Sequence, residues 1–416
     1  MKDVTAIILA AGLGTRMKSV TPKVLHRIGS KTLLERVVEN LENAGIEDIV
    51  VVLGYKAHQV EALFADRIKC VRQTDLLGSG DAVKQAIKKY KKAKNHILVT
   101  CGDTPLIENR TYKALIKKHL YGNNACTVLT SVADNPFSYG RIVRGGNNAI
   151  VEIVEEKDAS EDQRKINEIN VGTYCFNKKT LNDHIDLIKQ NKKKKEFYLT
   201  DIVRILSTNK NKVVSRSCEF QQSIGINSRK ELAMANEAIN SKTIEKLMRS
   251  GVTITDPRTT CIDETALVKR DTIIYSNTVV EADVKIGEGC KIGPFARIRS
   301  GTKIARNVEI GNFVETVRSS IGEGSRVKHH TYLGDTIVGK NVNIGAGTIT
   351  ANYDGKNKNK TVIENGVFIG VGVTLIAPVK VGKKAKVGAG SVVTKNKNVS
   401  AGETVIGIPA RTFKKK

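Results

Sequence analysis

The sequence has no tryptophan, and aromatic residues make up only 5% of its 416 positions. Stacking platforms for bases are therefore scarce, which argues against a nucleic-acid ligand despite a net charge of +26. The lysines behind that charge lie in scattered runs at 88–94, 192–195, 356–360 and the last three positions. This is the pattern of a solvated basic surface that meets small anionic substrates. Cysteine is also sparse. Cys70, Cys101, Cys126, Cys175, Cys218, Cys261 and Cys290 form no CxxC pair. That removes the usual zinc signature and leaves the expectation of reduced thiols in a cytoplasm. No apolar run approaches the ~18 residues of a membrane span, so no membrane partner is expected. The opening run VTAIILAA leads into a glycine loop rather than a cleavage site, so no signal peptide is expected either.

What is present is ample apolar material, 40% of the chain, in a length that suggests two or three domains. Residues 1–228 alternate β-branched runs with amphipathic stretches. TAIILAA, DIVVVLGY, HILVTCGD and NACTVLTSV read as buried parallel strands; TLLERVVENLENAG and DAVKQAIKKYKKA read as the helices between them. The expected fold is an α/β, Rossmann-like, doubly wound and mostly parallel sheet, with ligands at the carboxyl ends of its strands, where GLGTR and CGDTP fall. Residues 229–250 read as a linker helix ending at Gly251.

Residues 251–416 follow a different period. Aliphatic residues recur every six positions from Ile262 to Ile310, again from Ile321 to Leu333, and again from Ile363 to Val393. Neither a helix nor simple alternation produces that spacing. A coil of three short strands does, with each aliphatic pointing into a narrow prism and glycine easing the corners. The segment ANYDGKNKNKT interrupts the rhythm, as a functional insertion would.

The glycine loop LAAGLGTRM lets backbone N–H groups approach a polyphosphate, yet it fits neither the dinucleotide fingerprint nor the P-loop. With TPKVLH, QTDLLGSGDA, CGDTPL, YGRIV, VEEKDA, EINVGT, EFYLTD and GINSR, it resembles the sugar-phosphate nucleotidyltransferase family, in its uridylyltransferase branch. The resemblance implies that Leu9, Ala10, Ala11, Gly12, Gln73, Gly78 and Ser79 hold uracil and ribose, and that Arg16 and Lys23 grip the triphosphate as catalytic groups. It implies that Gly140, Glu155 and Asn170 hold the N-acetylhexosamine. Asp103 and Asn227 are the implied Mg²⁺ ligands, with Cys101 and Gly102 beside them in the nucleotide-sugar site; Cys101 itself reads as a small packing residue. Such a reaction has an anionic nucleophile and needs no general base, so positioning and charge neutralisation must carry it. Two departures stand out: the family's LGTGHA is LGSGDA here, and EINTG is EINVG, which brings Asp81 and Val171.

In the repeats the only histidines are His329 and His330. Acyl transfer from a thioester to an amine needs a base near neutral pH, and histidine is the natural one. GPFARIRSG, GNFVET, HHTYLGD and NVNIGAGTITANYDGKNKNKT resemble the acetyltransferase half of the bifunctional family that acetylates glucosamine-1-phosphate. That resemblance implies a left-handed parallel β-helix, His329 as base, and Arg299, Tyr332, Asn343, Asn352 and Lys358 on the sugar phosphate. It implies Ala346, Tyr353, Val371 and Ala389 on acetyl-CoA. It departs from the family at Val317 (a lysine there), Val371 (a serine) and Gly407 (an arginine). Arg318 is a substitute for the lost lysine only if strand alternation does not turn it to the opposite side.

The expectation is a bifunctional, cytoplasmic, homotrimeric enzyme. It acetylates glucosamine-1-phosphate with acetyl-CoA, then joins N-acetylglucosamine-1-phosphate to UMP from UTP, releasing pyrophosphate. The alternative is a sugar-1-phosphate nucleotidyltransferase whose β-helix only regulates or oligomerises.

Overall fold

The computed structural model describes residues 1–64, 67–191 and 195–413, so most of the run 192–195 and the terminal lysines lie outside the described residues. The chain divides into two compact units, Met1–Asn236 and Glu237–Lys416.

In the first unit, β1 (Val4–Ala10) lies parallel to β2 (Asp48–Leu53), which pairs with β3 (Lys69–Arg72). On its other side β1 is parallel to β4 (His96–Cys101). β1, β2 and β4 are near-continuous apolar runs because helices cover both sheet faces, whereas β3 at the sheet edge is mostly exposed. Leu34 and Val37 of α1 (Leu33–Asn43) share one core with Leu115 and Ile116 of α3 (Asn109–Tyr121). Val83 and Ala86 of α2 (Ser79–Lys89) belong to the core on the opposite face. A capping box between Thr32 and Glu35 fixes the start of α1.

One expectation needs correcting. The apolar run at 124–132 predicts a strand of the parallel set. It forms β5 (Cys126–Val132), which is parallel only to β9 (Val213–Ser217). Between β4 and β5 runs β8 (Glu168–Asn177), antiparallel to both. The sheet order is β9-β5-β8-β4-β1-β2-β3, and β6 (Arg141–Arg144) and β7 (Ile150–Val154) form a hairpin that pairs onto β8. The strand pattern of β8 is masked by the motif EINVG, whose Gly172 takes φ 77° at a register shift between Asn170 and Tyr174.

In the second unit, the later turns of α4 (Arg229–Arg249) close one end of a prism. Ile244 and Leu247 join its core, and Asn240 bonds the backbone of Thr260 and Ile262. Three sheets of two- to four-residue strands form the walls, parallel except for the last pair, in which Val405 lies opposite Thr412. Ile274, Ile292 and Ile310 stack in the first sheet, Ile262, Val280 and Ile298 in the second, Val268, Ile286 and Ile304 in the third. Each is buried. Threonines at the corners are buried too, and Thr272 Oγ1 bonds the next coil's backbone at Gly287 O, 2.8 Å away.

The breaks in the six-residue rhythm now have a cause. Ile304 lies opposite Ile321 and Ile321 opposite Val338, each one residue short of a regular coil. Both shortened corners carry a left-handed residue, Arg318 (φ 47°) and Asp335 (φ 49°). Ser319 Oγ seals the first by bonding the carbonyls of Val317 and Leu333 at 3.0 and 3.1 Å. The ANYDGKNKNKT segment makes the next coil longer, so Val338 lies opposite Ile363. Among the described residues, no helix is long and apolar enough to cross a membrane.

Buried His119, packed beside His96, should give the first unit a pH-dependent stability. His119 on α3 lies edge-on to His96, with ring centroids 5.2 Å apart, and its Nδ1 meets Thr127 Oγ1 at 3.1 Å. Burial first, then the neighbouring His96, lowers its pKa to about 4. The fold therefore holds neutral His119, and its stabilising share is complete above the unfolded value near 6.5 and declines as pH falls toward 4. The loss should reach roughly 3 kcal/mol at the low end. Urea unfolding at about pH 7.5 and about pH 5 should show a markedly smaller pH effect in His119→Gln than in the unmodified protein; equal slopes would refute the assignment.

Candidate active sites

The carboxyl ends of β1 and β4 open into a cavity of about 460 Å³. Leu9 and Ala10 come from the end of β1, Ala11 and Gly12 from the loop that follows, and Cys101 from the end of β4. Gly14 takes φ 63°, and a Cβ there would stand 2.8 Å from the Cβ of Lys23, so the loop needs glycine at this position to let the lysine pass. Gln73, Gly78 and Ser79 form the opposite wall, where Gly78 (φ 98°) runs against the carbonyl of Phe197.

Lys23 points its ammonium between two oxygens from distant segments. It pairs with the Asp103 carboxylate and donates to Asn227 Oδ1 at 2.9 Å. The Ile226 amide donates to Asp103 O at 2.8 Å, which draws the Asn227 segment alongside the end of β4. Gly102 lets that turn pack closely, its missing Cβ being 3.2 Å from Val24. One carboxylate and one amide oxygen thus converge on a single cation position. Cys101 stays a neutral packing thiol, pushed up to about 12 by burial, with its Sγ 3.8 Å from Gly172 O. Arg16 stands exposed in a short turn outside the residues that line the cavity.

Gly140, Glu155 and Asn170 are brought together by the β6–β7 hairpin and β8. Asn170 N donates to Gly140 O at 2.9 Å, and Glu155 follows β7. Asn170 is held on both sides, donating to Tyr174 and accepting from Gly172 N. Burial raises the pKa of Glu155, against a 3.0 Å bond from Thr200 Oγ1. The carboxylate next to it, Glu156, forms an ion pair at 2.6 Å with the fully buried Arg141, which ties β6 to the loop after β7. Tyr55, Leu76 and Glu196 also line the cavity; Leu76 and Glu196 fall inside QTDLLGSGDA and EFYLTD without an assigned role, while Tyr55 lies outside every motif and only packing delivers it there.

In the prism His329 is exposed at the end of its strand, directly opposite Asn312, and its Nδ1 lies 2.8 Å from Asn312 Oδ1. With the amide oxygen accepting from Nδ1–H, Nε2 keeps its lone pair. Asn312 was legible in GNFVET but had no assigned role. His330 instead tilts against Phe313, which stacks on Phe295.

The proposed sugar-phosphate ligands divide between two faces. Arg299, whose Nη1 donates to Glu315 at 2.8 Å, Tyr332, and Asn352 just past its strand belong to the second sheet. Asn343 lies in the first sheet, beside Arg326. Ala346, Val371 and Ala389 follow first-sheet strands at the corner that also carries His329. Tyr353 and Lys358 bridge each other in the inserted loop, which Asp354 organises by accepting from Lys356 N and Asn357 N.

Val317 is buried at 4% exposure. Strand alternation does not govern Arg318, because it sits in the shortened corner. Its Nε and Nη2 bond both oxygens of Asp335 at 2.7 and 2.8 Å, and Asp335 also accepts from Asn352. The Arg318 fork holds the Asp335 carboxyl below its usual range, and Lys358 adds to the effect. Arg318 therefore reaches the cluster that contains Asn352 and lies beside Lys358.

The nucleotidyl transferase family model matches residues 5–222, and the bacterial transferase hexapeptide model matches residues 265–300, 283–316 and 360–395. Curated relatives match nearly the whole chain. The bifunctional protein GlmU of Carboxydothermus hydrogenoformans is 45% identical over 94% of this chain and 95% of its own. Those of a Geobacillus species and Acetivibrio thermocellus are 44% and 41% identical, over 94% and 95% of this chain and 92% and 93% of theirs.

The Gly14 contact generates a test. Gly14→Ala should displace Lys23 and weaken nucleoside-triphosphate binding roughly ten-fold, while the melting temperature falls by only a few degrees. Titration calorimetry with unchanged affinity would show that the loop tolerates a side chain.

Proposed function

The chain belongs to the GlmU family of bifunctional proteins, and we propose from that premise which of its residues carry each reaction. It is a bifunctional transferase of UDP-N-acetylglucosamine synthesis, with an α/β nucleotidyltransferase half and a left-handed parallel β-helix of hexapeptide repeats. Acetyl-CoA acetylates glucosamine-1-phosphate, and UMP then passes from UTP to N-acetylglucosamine-1-phosphate.

The observation that carries the uridylyl assignment is the convergence of Asp103 and Asn227 on one cation position in the wall of the nucleotide-sized cavity. A carboxylate and an amide oxygen are donors suited to a hard ion that keeps several waters, so these residues fit Mg²⁺. When bound, the metal supplies charge neutralisation for the phosphates. The Leu9–Gly12 backbone, Gln73, Gly78 and Ser79 hold the nucleoside, and Gly140, Glu155 and Asn170 hold the sugar. Lys23, next to both metal ligands, offers its charge to the phosphates, with Arg16 joining from its exposed turn. Asp103→Ala should lower kcat by about 10²-fold or more with a near-normal melting temperature. A folded variant that keeps its rate would remove Asp103 from the machinery.

In the acetyl site, His329 Nε2 takes the proton of the attacking amine, while Asn312 fixes the ring. Arg299 and Lys358 neutralise the sugar phosphate, and Arg318 supplies the cation that Val317 does not. The proposed ligands occupy two faces and a corner of one prism, so a closed site needs a neighbouring prism. That supports a homotrimer with acetyl sites between subunits. Nucleotide substrates and seven free thiols fit a cytoplasmic enzyme.

His329→Ala should reduce acetylation by about 10²–10⁴-fold and spare uridylyl transfer. Mass spectrometry of products from UTP, glucosamine-1-phosphate and acetyl-CoA reads both steps. Uridylyl transfer with no acetylation by the unmodified enzyme would leave the β-helix a purely regulatory or oligomerising role.

A further inference from the structure

Gln73 is 4% exposed and sits at the wall of the nucleotide cavity, with its backbone amide bonded to Leu53 O at 2.8 Å. Its side-chain nitrogen has two hydrogens, and both are committed. One goes to Gly78 O at 3.1 Å and the other to Asp81 Oδ2 at 2.7 Å. A carbonyl and a carboxylate can only accept, so the amide has one orientation, and its oxygen is the end left for a ligand. Asp81 is steadied in turn by Gln85 Nε2, 3.4 Å from its other oxygen. On the same wall Ser79 Oγ accepts from Leu199 N at 3.0 Å, which leaves its own proton to donate.

The wall therefore offers an acceptor and a donor. Uracil presents the complement, an N3–H donor beside a carbonyl acceptor. Cytosine presents the reverse, a ring-nitrogen acceptor beside an N4 amino donor. We propose that Asp81 is a positioning residue for nucleobase choice: by holding the Gln73 amide in one orientation it makes the site accept uracil and reject cytosine. The proposal rests on the uridylyl reading of this cavity. It gives a purpose to the aspartate that replaces histidine in LGSGDA. Without Asp81, the amide keeps only the Gly78 contact and can turn its nitrogen toward the base, which would then welcome cytosine.

Asp81 also stands in the first turn of α2, where a carboxylate favours the helix dipole. A purely helical role would lower stability, or both nucleotide rates together, and leave their ratio alone. The test is therefore the ratio of kcat/KM for UTP to that for CTP, measured on the full chain with N-acetylglucosamine-1-phosphate. Equilibrium binding of UTP and CTP gives a readout that needs no turnover. Asp81→Ala should shrink the ratio by about ten- to hundred-fold. Asp81→Asn, whose amide oxygen still accepts, should shrink it less. If Asp81→Ala fails to fold, Asp81→Asn carries the test, and thermal melts decide which is read. A ratio that stays within about threefold of the unmodified enzyme overturns the proposal and leaves the uridylyl reading intact. An unmodified enzyme with no preference for UTP over CTP overturns both.

Discussion

The nucleotidyl site depends on one ammonium group. Lys23 joins the Asp103 carboxylate, 80 residues away, to Asn227, 204 residues away. Such a pair costs desolvation, and its retention makes sense where the same two oxygens also serve a ligand cation. The rest of the site is arranged around that convergence. β1 and β4 run parallel and end together, so the glycine loop and the Gly102 turn face one cavity. The antiparallel β8 sits between β4 and β5, and its displaced register at Gly172 turns Asn170 toward Gly140. A strictly parallel sheet would have no such bulged strand beside Gly140.

The prism solves a different problem. Each coil contributes only a handful of buried apolar side chains, so stability comes from stacking. Departures from the regular coil are where several of the proposed acetyl-site residues collect. The two shortened corners create the Arg318–Asp335 pair, and the lengthened coil brings Asn352, Tyr353 and Lys358 beside it. His329 lies on the corner between the faces that carry the other proposed ligands, and Asn312, one coil away, orients it.

Much of this was legible beforehand. The glycine loop, the CGDTP turn and the change to a six-residue period located both halves and most proposed site residues, because those features are local backbone requirements. The reading failed where neighbours in space decide. Strand alternation could not place Arg318, because a missing corner residue is invisible until coils are aligned. The direction of β8 was hidden because EINVG breaks strand patterning at its bulge. Tyr55 carries no motif, and only packing brings it to the cavity wall.

The sequence by itself determined the two architectures, since hydrophobic period is a one-dimensional property that fixes which side of each element must be buried. It also supplied the candidate residues proposed for each site. Only the tertiary structure decided how that inventory is oriented: the Gln73 amide by Asp81, the His329 ring by Asn312, the Arg318 fork by Asp335. Hydrogen bonds require ångström-scale approach and a defined direction, and those are set by strand order and coil register rather than by spacing along the chain.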